Sequence, residues 1–148
     1  MATAPNGGGT VMLGGHQVID EDLPPALGDT WLRDAEGWQP LPGTRAPSLV
    51  VNAKALVHPA LGLLVVGGSD LEADTGDVLR WSGRRWDVLG RGLFPPRQAF
   101  GLAFDAERGV VVLTGGVVTP GSTERHQDVW EWAGDPGIPA TRVTDGQP

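Results

Sequence analysis

The chain contains no cysteine, no tyrosine and a single lysine against ten arginines. Without cysteine there can be no disulfide and no thiolate chemistry. Lys and Arg nowhere gather into a run, and the formal net charge is −7. The counterion release that drives nucleic-acid binding therefore has no source. No apolar run approaches the roughly 20 residues that span a bilayer as a helix. The opening MATAPNGGGTVML shows neither the charged region nor the apolar core of a secretory signal. The expectation is a soluble chain, cytoplasmic by default, with neither nucleic acid nor membrane as partner. A sustained 3.6-residue apolar period is also missing, so little or no helix is expected.

Glycine and proline are plentiful, 23 and 13 in 148 residues. They fall between short apolar runs, where they act as turn punctuation rather than as low-complexity sequence. With 40% apolar and 20% charged residues, the composition is that of a globular domain. Three runs end in a glycine pair: TVML at Gly14-Gly15, LLVV at Gly67-Gly68 and VVVLT at Gly115-Gly116. The pairs recur about every fifty residues, a period that marks a repeat architecture. Each is followed by an aspartate opening an apolar, Trp-bearing strand: DTWLR at Asp29, DVLRW at Asp77 and DVWEW at Asp128. A Trp then follows a polar turn in DAEGW (Trp38) and SGRRW (Trp86).

Within a unit each apolar piece is short and bounded by Gly, Pro or Asp, so each reads as a strand. RQAFGLAF, the turn DAERG and VVVLTGG form a hairpin, and DVWEW adds a third strand. GDVLRW, SGRR and WDVLG supply strands three and four of the unit before it. Four antiparallel strands per unit is the pattern of a β-propeller blade. Glycine permits positive φ and close backbone approach, and Trp31, Trp81 or Trp130 is expected to cover each glycine pair. The period of two places Asp128, Trp130 and Trp132 on one strand face, expected to pack between units. Sugar stacking is the functional alternative for the Trp residues; their repeat register favours a core role.

The unit resembles the kelch repeat, through an arginine before strand one (Arg97), the diglycine ending strand two, and the spaced aromatic and Trp. It is most similar to the bacterial form with D-x-W-x-W in strand three. The resemblance spans about residues 10 to 133. It implies an all-β fold of about three kelch-type four-stranded antiparallel blades of a β-propeller, incomplete as a single chain. Residues 1–9 are then a flexible N-terminus and 10–41 blade one, as strands two to four. Residues 42–90 are blade two, and 91–148 blade three with an irregular tail, in which ATRVTD, Ala140 to Asp145, is either a fourth strand of its own blade or the first strand of a second copy's unit one. In unit two, Arg45 stands about five residues further from the turn than Arg97 does in unit three. Unit three has Gly137 or Ile138 where a strand-four Trp is expected.

The family is mostly an interaction scaffold, so the resemblance implies a protein-binding module. The alternative is a fragment or subunit of a carbohydrate-related enzyme of the galactose-oxidase-type propeller class. The copper radical chemistry of that class needs Tyr and Cys, which this chain lacks. Function tends to reside on long loops borne by a rigid scaffold. Here the long loops follow strand two, with the interblade connections on the same end. Asp20, Glu21, Asp22, Asp70, Glu72 and Asp74 make that end acidic, which suits a basic protein or peptide. Glu124, Arg125 and His126 vary the third loop, and Arg97 is either an anion site or a clamp between strand ends.

No cofactor or metal is expected. His16, His58 and His126 have no ligand-like spacing, and His58 aligns with the turn residue Asp105. DLEADTGD, from Asp70 to Asp77, departs from a calcium loop in the placement of Gly76 and in carrying Trp81 at its twelfth position. Apolar, Trp-bearing faces at both ends of the stack lead to one more expectation, self-association with a second copy to complete a propeller.

Overall fold

A computed structural model of the chain describes residues 2–3, 9–15, 27–47, 51–69, 73–117 and 125–144. The fold is all-β, with three four-stranded antiparallel sheets. The first holds β1 (Ala2–Thr3), β2 (Thr10–Leu13), β3 (Thr30–Arg33) and β4 (Trp38–Pro40). The second holds β5 (Lys54–His58), β6 (Gly62–Val66), β7 (Val78–Trp81) and β8 (Trp86–Gly90). The third holds β9 (Gly101–Asp105), β10 (Val110–Thr114), β11 (Val129–Trp132) and β12 (Thr141–Thr144). In each sheet the strands lie in chain order. Among the described residues there is no helix, hence none long and apolar enough to cross a membrane.

Two segments differ from expectation. Residues 1–9 carry no strand signal, yet Ala2 and Thr3 pair with Val11 and Thr10. The tail after β11 is not irregular throughout: Thr141–Thr144 pairs with β11 across a bulge at Val129/Trp130. In both cases pairing to a neighbouring strand decides the conformation, and local composition does not.

The short turns share one device, a side-chain acceptor at the turn's first residue. Asp105 Oδ1 accepts the backbone N–H of Glu107 and Arg108 at 3.0 and 3.1 Å. Asp34 Oδ1 does the same for Glu36 and Gly37. In unit two the acceptor is His58 Nδ1, 3.2 Å from the amides of Ala60 and Leu61. His58 is thus the turn residue expected from its alignment with Asp105. Accepting at Nδ1 leaves its proton on Nε2, which is buried without a hydrogen-bond partner.

Burial holds the His58 pKa below the ordinary imidazole value. The unfolded chain therefore takes up a proton that the folded chain resists. Stability from this site is full above the ordinary histidine value and is lost as pH falls through the lowered one. We expect His58→Asn, whose amide oxygen can accept the same turn amides, to flatten the stability change between about pH 7 and pH 5. Urea midpoints of both proteins at the two pH values check this.

The second sheet is filled on both faces, and the two-residue period sorts its side chains. Leu64, Val66 and Val78 pack toward the third sheet with Phe94, Phe100, Val111, Leu113 and Trp132. Leu63, Val65, Leu79 and Trp81 pack toward the first sheet with Val11 and Trp86. This explains why LLVV is apolar throughout rather than alternating. A hydrogen bond of 2.8 Å from Trp86 Nε1 to Thr30 Oγ1 joins the first two sheets through their buried contact.

Trp81, Trp86 and Trp132 are core residues, as expected, while Trp130 is half-buried against the cluster that holds Trp132. Trp31 and Trp38 are not. Trp31 is half-buried and Trp38 exposed. By strand register both share the face of Met12 and Thr10, whereas Val11, Leu13 and Leu32 turn toward the second sheet.

The glycine pairs adopt positive φ, 62° and 101° at Gly67 and Gly68 and 68° and 102° at Gly115 and Gly116. Their closest neighbours are not Trp rings. A Cβ on Gly67 would lie 3.0 Å from Cζ of Phe100, and one on Gly68 would lie 2.8 Å from the Val51 carbonyl. The chain entering each first strand runs directly over the glycines, whereas the expected Trp residues lie further along the third strand, Trp130 opposite Leu113.

Candidate interaction face

The long connections after β2, β6 and β10 all start at a glycine pair, and each closes back on it by the same backbone bond. Leu27 donates to the Gly15 carbonyl at 2.8 Å, Thr75 to Gly68 at 2.8 Å and His126 to Gly116 at 2.9 Å. The feet of two loops are widened into short ladders, Val51–Ser69–Asp74 and Gln98–Val117–Arg125. Asn52 and Ala99 follow Val51 and Gln98 in those ladders, and both have positive φ, 58° and 52°. Asn visits this left-handed backbone readily, whereas for Ala99 it is strained; it recurs at the same place in both ladders.

A chain of polar side chains links the loop ends of the second and third sheets. Asn52 Nδ2 donates to Gln98 Oε1 at 2.7 Å, and Gln98 Nε2 donates to Asp74 Oδ1. Asp74 Oδ2 is buried with no hydrogen-bond partner, as is His126 Nε2. Sequence reasoning singled out Asp74 but missed Asn52 and Gln98. No repeat position marks them, since Gln98 is itself a ladder residue whereas Asn52 follows the ladder residue Val51.

Arg97 is a clamp and not an open anion site. Its side chain is 2% exposed. Nη1 donates to Asp128 Oδ1 at 2.6 Å and to the Gly115 carbonyl at 3.0 Å, and Nε to the Pro95 carbonyl at 3.3 Å. Asp128 also accepts from the Trp130 indole at 2.8 Å, with Arg142 Nε at 3.7 Å. Burial would raise the Asp128 carboxyl. Hydrogen bonds from Arg97 and Trp130, with the charges of Arg97 and His126, outweigh burial and hold it at about 2. Arg45 is exposed and does not repeat this clamp.

The remaining candidates are dispersed. Arg125 is exposed and His126 half-buried at the foot of the third loop. Asp20, Glu21, Asp22, Asp70, Glu72 and Glu124 lie outside the described residues, and with them the first three residues of the stretch compared with a calcium loop. Among the described residues no three of His, Asp and Glu gather as a metal-ligand set. Comparison of the chain with models of known protein families and with curated proteins gives no match.

Proposed function

We infer that the chain is a kelch-like interaction module, its three sheets acting as blades of a β-propeller and its loop end meeting a basic protein or peptide. The observation that carries the reading is the repeated closure of three long connections onto their glycine pairs, which gives variable loops a common rigid footing. The strand order within each sheet and the stacking of successive sheets through alternate faces support the blade assignment. The net charge of −7 and the acidic residues of the first two loops favour a cationic partner.

The test is a fluorescent arginine-rich peptide titrated at low salt and followed by anisotropy. Changing Asp20, Glu21, Asp22, Asp70 and Glu72 together to their amides is expected to weaken binding at least about tenfold. Equal affinity of the two proteins, or equal binding of an acidic peptide, overturns the reading.

A further inference from the structure

A half-open pocket of about 190 Å³ lies between the first and second sheets, at the place that the Phe100 ring takes between the second and third, against Gly67. The register identifies the cause. Lys54 pairs with Val66 and Gly101 with Thr114, each partner standing immediately before a glycine pair. Ala53 therefore occupies the place of Phe100, and Ala55 that of Leu102.

Contacts with the glycines agree. A Cβ on Gly116 would meet the Gln98 carbonyl at 2.7 Å and Phe100 Cβ at 3.1 Å; one on Gly68 would meet the Val51 carbonyl at 2.8 Å and Ala53 Cβ at 3.0 Å. From that position the Phe100 ring reaches across to Gly67 of the preceding sheet. The equivalent ring at residue 53 is absent, and the cavity lies there, between Ala53, Ala55 and Gly14 with Leu13, Val65 and Trp86 as further walls. Asn52 and Lys54, both exposed, border it.

We propose that this cavity is a binding site for one monocyclic aromatic ring. The cavity lies where the repeat would place a ring equivalent to that of Phe100. Roughly 150 Å³ is room enough for a benzene ring, with Leu13, Val65 and Trp86 as the apolar wall and Asn52 and Lys54 leaving part of the lining polar. The ring can arrive as a free aromatic molecule or as a phenylalanine side chain on a partner peptide; only the second source rests on the interaction reading above.

Toluene is the first probe. It is expected to raise the Tm of the full chain by about 2 °C or more, and to leave Ala53→Phe unmoved because the new side chain fills the site. Ala55→Leu, which restores the smaller of the two missing groups, serves as a second filled variant should Ala53→Phe fold poorly. No shift in the wild type, or the same shift in both filled variants, overturns the proposal.

The second probe is a pair of arginine-rich peptides differing only in a central Phe or Ala. A preference for Phe of about tenfold that disappears in Ala53→Phe assigns the ring to a partner. Equal affinities with the toluene shift intact assign the cavity to a free ligand. The loop-neutralised protein should lose peptide binding yet keep its toluene response, so failure of the loop reading and failure of the cavity are told apart.

Discussion

Arg97→Ala is expected to destabilise the fold by about 3–5 kcal/mol, because it leaves the Asp128 carboxylate buried without its main partner. Two backbone carbonyls, of Gly115 and Pro95, lose their donor at the same time. Asp128 keeps the Trp130 indole and the more distant Arg142, which places the loss within that range and not above it. Replacing both partners, Arg97→Met with Asp128→Leu, should cost less than the single change, since no uncompensated charge remains.

The pH dependence follows from the lowered carboxyl. The contribution of Asp128 is complete above the ordinary aspartate range and is lost as pH falls through about 2, below which the carboxyl is protonated in both states. Urea denaturation of the wild type, the single variant and the double variant at neutral pH measures the clamp. A loss below about 1 kcal/mol in Arg97→Ala would show that the pair contributes no more than a surface ion pair.

Trp132→Ala is the second large effect, again about 3–5 kcal/mol. The side chain is 1% exposed in the cluster between the second and third sheets. Its ring meets Phe94 edge-on with centroids 6.4 Å apart, and its indole N–H donates to the carbonyls of Asp135 and Ile138 at 3.1 and 3.0 Å. Removing it opens a cavity and strips a donor from the segment leading into β12. Trp130→Ala should cost distinctly less, because that ring is only half-buried at the margin of the same cluster. Urea midpoints rank the pair, and a larger loss at Trp130 would mean that the cluster's centre has been misplaced.

Much of this architecture is legible in the residues. Alternation, glycine pairs and turn-opening acceptors such as Asp34 and Asp105 act over two to five neighbouring residues. A reader of the chain can therefore place β2 to β11 without any long-range information. Ala2–Thr3 was not legible as a strand, and for Thr141–Thr144 the partner was not. Their sequences, AT and TRVT, carry little local preference, and it is pairing with Val11 and with β11 that extends them.

For the candidate face the division falls elsewhere. Asp74, Arg125 and His126 stand out as charged loop residues, and Arg97 as the residue before a first strand. That Arg97 is spent on Asp128, 31 positions away, is a matter of which strand ends meet. Asn52 and Gln98 come together across 46 residues, and no local pattern encodes that pairing.

The sequence by itself determined the repeat, the strands and the polarity of the loop end, because periodicity, turn chemistry and charge are properties of neighbouring residues. Only the tertiary structure decided which side chains meet. It set Arg97 on Asp128, left Trp31 and Trp38 outside the core, and turned Ala53 and Ala55 from two small residues in a strand into the floor of a cavity. Such outcomes depend on what the facing sheet brings to the same place.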